Sequence, residues 1–307
     1  ETWGFLIGGR FDKHNLIDHV IFSPRVNFRY NPTHNINIRA VYSSGFRAPQ
    51  AFDEDLHITI VGGKRTRIRL AEDLKEERSH TFSVSADMYH TFKNGIQGNL
   101  MVEGFYTILN DVFTLEQTGE TTDDGTATIL ERRNGSGATV MGVNLEARLA
   151  FNPWLQLQVG GTLQRSRYKE PEKWSEDESV PAETRMFRTP DSYAFLTATV
   201  TPVRRFDIAL TGTYTGRMLV QPAEHTVPDG NVVGDAEVRT PSFFDCGVKL
   251  SYTFHLTDLI NLEVNAGVKN ILNAYQRDID LGAGRDSAYI YGPSLPRTFF
   301  FGVKLHI

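Results

Sequence analysis

Hydrophobic side chains recur at every second position along most of this chain. Only extended strands with one oily and one polar face use that period. In residues 21–30, Phe22, Val26, Phe28 and Tyr30 oppose Ser23, Arg25, Asn27 and Arg29. In residues 260–270, Ile260, Leu262, Val264, Ala266 and Val268 oppose Asn261, Glu263, Asn265 and Lys269. The last residues continue the pattern, with Phe299, Phe301, Val303, Leu305 and Ile307 opposite Thr298, Phe300, Gly302, Lys304 and His306. About twelve such segments are predicted, near residues 3–11, 22–30, 34–45, 79–91, 97–113, 138–150, 154–168, 191–200, 205–216, 242–254, 260–269 and 294–307. Most are longer than the ~5–6 residues of a common soluble strand, and no amphipathic helix competes.

The connections alternate in length. Short ones fall at 31–33, 92–96, 152–153, 201–205 and 255–259; long polar ones fall at 13–21, 46–78, 114–137, 169–190, 217–241 and 270–293. A meander that turns tightly at one end and loosely at the other matches a transmembrane barrel of the outer-membrane type, with short periplasmic turns and long extracellular loops. Aromatic residues add two prospective girdles. Tyr30, Phe151, Trp154, Phe206 and Phe254 are expected beside the short turns. Trp3, Tyr42, Phe46, Tyr106, Tyr168, Tyr214 and Phe244 are expected toward the long loops. A C-terminus on the periplasmic side puts every long connection outside.

Composition excludes several classes. No run of about 18 apolar residues offers a transmembrane helix, but alternation keeps a spanning barrel's mean hydropathy low, here −0.31. The net charge of −5 gives nucleic-acid binding no electrostatic support. The single cysteine, Cys246, leaves no internal disulfide and no multi-cysteine metal site. Glu1 is not a start Met and no signal peptide follows, so a processed protein or a piece of a longer one is expected. An enzyme would need a nucleophile, a base and an orienting group held together, and no such constellation is legible.

Residues 42–52, YSSGFRAPQAF, resemble the Phe-Arg-Ala-Pro region of TonB-dependent outer-membrane receptors, which follows an upward strand and opens a long outer loop. Residues 71–79, AEDLKEERS, are similar to that family's Asn-Pro-Asn-Leu-Lys-Pro-Glu-x-Ser box: Leu74, Lys75, Glu77 and Ser79 match, while Ala71, Glu72, Asp73 and Glu76 depart from it. VKNILNAYQRD resembles the family's penultimate strand and its turn. YGPSLPRTFFFGVKLHI resembles its closing strand, with Ile307 where the family usually ends on Phe. The resemblance implies an all-β, antiparallel transmembrane β-barrel: about twelve strands of a 22-strand barrel, with residues 1–307 its C-terminal portion. The plug, the N-terminal strands and the TonB-contacting segment would precede Glu1. It also implies active import, without covalent chemistry, of a scarce nutrient across a bacterial outer membrane, an iron–siderophore or similar chelate being the leading cargo. The implied partners are the TonB complex, through the missing N-terminal region, the nutrient, membrane lipid and lipopolysaccharide, and, in some members, a surface lipoprotein. No cofactor is predicted.

Ligand contacts are expected on the long loops, where arginine and aromatic side chains suit anionic chelates or sugars. The candidates are Asp53, Glu54, His57 and Arg65 in 46–78; Trp174 and Arg185 in 169–190; Arg217 and His225 in 217–241; and Arg277, Arg285 and Tyr289 in 270–293. Set against each is the reading of an ordinary solvated loop residue. No metal site is predicted. His57, beside acidic residues and between the two family motifs as in haem-importing members, is the one candidate metal or haem ligand. Two other classes share the strand pattern: a self-contained outer-membrane pore, and a soluble carbohydrate-binding β module with its polar face in water.

Overall fold

The alternating segments become strands. The computed structural model describes residues 2–49, 65–93, 95–122, 125, 127–151, 154–172, 181–220, 225–226, 232–233, 238–279 and 289–306. In chain order the elements are β1 (Trp3–Asp12), β2 (Ile21–Thr33), β3 (Ile36–Arg47), β4 (Arg65–Leu70), β5 (Glu77–Thr91), β6 (Gln97–Asn110), β7 (Phe113–Thr121), β8 (Ala127–Asn134), β9 (Ala138–Phe151), β10 (Leu155–Glu172), β11 (Glu183–Arg185), β12 (Ser192–Val203), β13 (Phe206–Thr215), β14 (Leu219–Val220), β15 (His225–Thr226), β16 (Val232–Val233), β17 (Val238–Arg239), β18 (Phe243–His255), β19 (Asn261–Lys269) and β20 (Thr298–His306). Twelve long strands form one antiparallel meander in the order β1-β2-β3-β5-β6-β9-β10-β12-β13-β18-β19-β20, and β11 adds to the outer end of β10. The sheet is open: β1 and β20 each pair on one side only among the described residues.

Register carries the oily face across the whole sheet. Phe5 pairs with Phe28, Phe28 with Ala40, Ala40 with Val84, Val84 with Gly104, Gly104 with Val143 and Val143 with Leu163. Farther along, Leu250 joins Ile208 to Ala266, and Ala266 meets Phe301. The opposite face is polar along the same rows: Gly4, Arg29, Arg39, Ser85, Glu103, Asn144 and Thr162 are successive partners. There Asn144 Nδ2 donates to Glu103 Oε2 (2.9 Å) and Thr162 Oγ1 donates to Asn144 Oδ1 (2.7 Å). A slip of one residue in any pair would throw these groups onto the oily side.

Among the described residues nothing covers the apolar face. Ile7 is 69% exposed, Leu163 69% and Phe299 74%. Such a continuous surface far exceeds the few hundred Å² a soluble monomer tolerates. On β18 it runs from Phe244 to Phe254. At ~3.3 Å per residue and a tilt of ~40° that covers about 25 Å, the height of a barrel's lipid-facing band. Among the described residues no helix is long and apolar enough to cross a membrane; crossing by strands needs none.

Aromatics edge the band at both ends, with two corrections to the sequence reading. Trp3 was expected near the long loops, but β1 enters the sheet at its short-turn end, where Trp3 stacks on Tyr30 with centroids 4.1 Å apart. Tyr168 pairs with Ala138 on the inner face and belongs to neither girdle. At the long-loop end Phe11 stacks on Phe22 (4.7 Å) and Tyr42 packs on Phe82 (4.9 Å).

The short connections are tight because their residues accept unusual backbone angles. Gly95 (φ 80°) donates its N–H to Phe92 O at 2.9 Å, and Arg205 turns the 204–205 corner at φ 71°. The long connections are less loop-like than expected. The predicted strand 97–113 ends at Asn110, Asp111 turns at φ 53°, and a second hairpin, β7–β8, rises beyond it. From inside the segment read as loop 46–78, β4 joins β8 in parallel, making a three-stranded sheet off the main one.

If lipid bathes the oily face, Leu145→Arg lowers folding stability by about 2–4 kcal/mol. Thr197→Arg, on the polar face beside a cavity of about 400 Å³, changes it by less than about 1 kcal/mol. Urea titration of refolding into lipid vesicles measures both.

Candidate ligand-binding rim

The long connections gather at one end of the sheet in two groups. The first is centred on Glu76, one of the residues that depart from the family box. Its side chain is 5% exposed; Arg78 Nε donates to Oε1 at 2.8 Å, and His19 Nε2 lies 3.0 Å from the same oxygen. Burial pushes the Glu76 carboxyl up, but hydrogen bonds from Arg78, the backbone and His19 outweigh it and hold the group below the ordinary carboxylate range. The contact ties segment 13–20 to segment 71–76, beside a small core of Ile17, Ile21 and Ala48 packed on Phe46. Asn134 completes this half: its Oδ1 accepts from Lys75 N (2.8 Å), and its Nδ2 donates to Lys75 O (3.1 Å) and Asp111 O (2.8 Å).

On the three-stranded sheet, Arg69 lies between Glu120 and Glu131 (3.0 and 2.8 Å), and Arg133 between Glu131 and Glu116 (2.8 and 3.5 Å). Hydrogen bonding from Arg69, above all, keeps the Glu131 carboxyl below its usual range. These arginines are matched by carboxylates within the sheet, so their charge is spent locally.

The second group is built on Gln276, 2% exposed. Its Nε2 donates to Tyr289 O (2.9 Å), and its Oε1 accepts from Tyr291 N (2.9 Å) and Gly292 N (3.4 Å). That pins segment 289–292 against segment 270–279. Both phenols then converge on Asp278: Tyr289 donates to Oδ2 at 3.2 Å and Tyr291 to Oδ1 at 2.5 Å. Burial first, then the Asp278 charge and hydrogen bond, push the Tyr289 phenol up to about 12; the same causes raise Tyr291 further. Arg188, at φ 55°, donates Nη1 to Ile290 O (3.0 Å) and its backbone N–H to Leu219 O (2.7 Å), so three long connections meet on one residue. Gly292 allows the close approach, since a Cβ there would lie 2.7 Å from the Phe243 ring. Below it, Thr213, Thr215, Asp245, Phe243 and Tyr291 border a cavity of about 360 Å³ on the inner face.

The sequence candidates distribute over this frame as follows. Asp53, Glu54, His57, Trp174 and Arg285 lie outside the described residues. Arg65 opens β4 opposite Ala127, and His225 lies in β15 opposite Val233. Arg185 sits in β11 and is ion-paired to Asp191. Arg217 and Arg277 are exposed and enter no ion pair among the described residues; the Arg277 guanidinium lies 5.9 Å from the centre of the Tyr275 ring. Tyr289 is 8% exposed, with its hydroxyl given to Asp278. Unpaired guanidinium groups beside aromatic rings can take an anionic, planar ligand. Among the described residues no group of three or more His, Cys, Asp or Glu side chains is placed to hold a metal. Sequence reasoning missed Gln276, Asp278 and Glu76. A buried amide in a polar loop leaves no periodic signal; Glu76 was visible only as a departure from the family box.

A wall of long antiparallel strands, oily on one face, polar on the other and loop-rich at one end, has the strand architecture of an outer-membrane-type β-barrel. The family model for the TonB dependent receptor-like β-barrel matches residues 1–271, and the chain belongs to the TonB-dependent receptor family. Members of that family are outer-membrane barrels that act as transport receptors. Among solved structures, a variant of the ferric enterobactin receptor PfeA of Pseudomonas aeruginosa superposes with a TM-score of 0.67 at 17% identity, covering 99% of this chain and 42% of that one. The siderophore receptor PirA of the same organism gives 0.64 at 16% identity, with 99% and 45% covered. The ferric-catecholate import receptor Fiu of E. coli K12 gives 0.58 at 18% identity, with 94% and 35% covered. The chain thus spans less than half the length of these receptors. No curated protein sequence matches it.

Two measurements test the rim. Glu76→Gln should weaken the tie by about 1–3 kcal/mol, seen as faster amide exchange at Ile17 and Leu74. Because the Glu76 carboxyl is lowered on folding, its contribution is full above the ordinary carboxylate pKa of about 4.3 and is lost as pH falls through the lower folded value. The ultraviolet difference titration between the protein and Tyr289→Phe should show ionisation near pH 12, shifted downward by Asp278→Asn.

Proposed function

We propose that this chain is the C-terminal part of the barrel of an outer-membrane import receptor for an iron–siderophore or similar chelate, energised through TonB. One observation carries the reading. A continuous lipid-matched face backs a polar inner face, in a sheet whose end strands β1 and β20 are unpaired on their outer sides among the described residues. Each unpaired N–H or C=O in hydrocarbon costs several kcal/mol, so those edges call for further strands. The solved receptors with the same fold, more than twice as long, supply the proportion. The polar inner wall, with Glu103, Asn144 and Thr162 in hydrogen-bonded contact, suits a hydrated plug. In this reading the plug and the TonB-contacting segment belong to other parts of the parent chain.

The cargo reading rests on the rim. Arg217 and Arg277 are exposed on long connections, Arg277 beside the Tyr275 ring, and an inner-face cavity lies below Tyr291. Such a surface favours a rigid anionic chelate over a neutral sugar. Asp53, Glu54, His57, Arg65, Trp174, Arg185, His225, Arg285 and Tyr289 remain proposed contacts on the same loops.

Deleting the parent gene should abolish growth on at least one ferric siderophore as sole iron source, and plasmid-borne Arg217→Ala/Arg277→Ala should raise the half-saturating concentration for radiolabelled iron uptake about tenfold. Uptake that persists without the gene, or without the proton-motive force, overturns the reading. Lipid-soluble quenchers should reach fluorophores placed at Leu145, Leu250 and Val264.

A further inference from the structure

Two phenols and a carboxylate meet at the rim, more than a simple tie between segments needs. Tyr289 donates to Asp278 Oδ2 at 3.2 Å and Tyr291 to Asp278 Oδ1 at 2.5 Å, and the two hydroxyls also hydrogen-bond each other. The rings meet edge to face with centroids 5.4 Å apart. Buried amides hold the frame beneath them. Gln276 fastens the backbone of residues 289 and 291 (2.9 Å each). Asn270, 2% exposed, donates Nδ2 to Ala274 O and Leu295 O (2.9 Å each) and accepts from Ala274 N (2.8 Å). None of these bonds uses a phenol or the Asp278 carboxylate, so the three side chains are positioned by groups behind them, as the ligands of a metal are.

Spacing and charge suit a small, hard, trivalent cation. Around an octahedral ion with bonds of about 2.0 Å, neighbouring ligand oxygens lie about 2.8 Å apart. The separations here, 2.5 and 3.2 Å, bracket that edge. Two phenolates and a carboxylate supply three negative charges, and a bound ion displaces both phenolic protons to water. The three side chains offer oxygen alone, without the nitrogen and sulfur donors that favour zinc or copper; tyrosine oxygen is an established ligand of iron. The cluster is also accessible. Asp278 is exposed, and Tyr291 borders the inner-face cavity of about 360 Å³ together with Asp245. The remaining coordination positions thus face solvent and an incoming chelate.

We propose that Tyr289, Tyr291 and Asp278 are direct ligands for ferric ion carried in a chelate that leaves coordination positions to water. The protein oxygens replace those waters, so protein and chelator hold the ion together. A chelate that fills all six positions has none to yield and gains nothing from this cluster. The inference deepens the import reading above, and rests on it, by naming the class of cargo the rim selects.

The test uses the full-length receptor in detergent micelles, titrated with ferric nitrilotriacetate, whose chelator leaves positions to water. A visible phenolate-to-iron charge-transfer band should appear and saturate at one ion per chain. Tyr289→Phe/Tyr291→Phe should abolish the band, and Asp278→Asn should weaken binding about tenfold or more. The Gln276 bonds run to backbone atoms, so the Phe variants keep the frame; heat-modifiable mobility reads this on the same preparations. Tyr252→Phe, on β18 at the short-turn end, should leave the band unchanged. No band in the unaltered receptor, a band that survives the double Phe substitution, or displacement of the iron by an equal concentration of zinc overturns the proposal. A receptor that imports a ferric siderophore yet shows no band loses this site alone. A chain that never inserts, read by quencher access at Leu145, defeats both readings.

Discussion

A backbone amide in hydrocarbon has no water to turn to, and that constraint organises the whole molecule. Each N–H and C=O within the oily band must find its partner on a neighbouring strand. Successive strands from β1 to β20 supply most of these partners, with register shifts at Tyr30/Thr33 and Val200/Val203 beside the short turns. Once strands are committed to pairing, side chains have two directions, and the choice between them is severe. Arginine toward lipid costs kilocalories per residue. That is why Arg29, Arg39, Glu103 and Glu146 all share the inner face, and why register is kept through eleven strand pairings that vary widely in sequence.

Because the wall is fixed by this rule, variety is confined to its long-loop end. There water returns, hydrogen bonds can be made by side chains, and the chain builds irregular structure around a few buried polar groups: Glu76 in one half, Gln276 and Arg188 in the other. Each satisfies several backbone or side-chain partners at once. Buried groups of this kind specify geometry because leaving any one partner unmet is expensive.

The rim also separates two uses of arginine. Arg69 and Arg133 are neutralised within the three-stranded sheet, and Arg185 by Asp191. Arg217 and Arg277 are exposed without an ion-pair partner among the described residues. Charge that is already matched rigidifies a loop; charge left open is what an incoming anion can use.

The amino-acid sequence determined the strands, their parity and the alternation of short and long connections, since a period of two with one oily and one polar side is written residue by residue. Even the weakly patterned segment near 191–200 proved to be a strand, β12. What only the tertiary structure decided are the contacts between segments far apart in the chain. Trp3 lies at the short-turn end because its neighbour Tyr30 fixes it there. Segments 46–78 and 114–137 share a sheet through β4 and β8, and Gln276 and Asp278 collect Tyr289 and Tyr291. None of these leaves a periodic trace, because each depends on which distant partner a side chain meets.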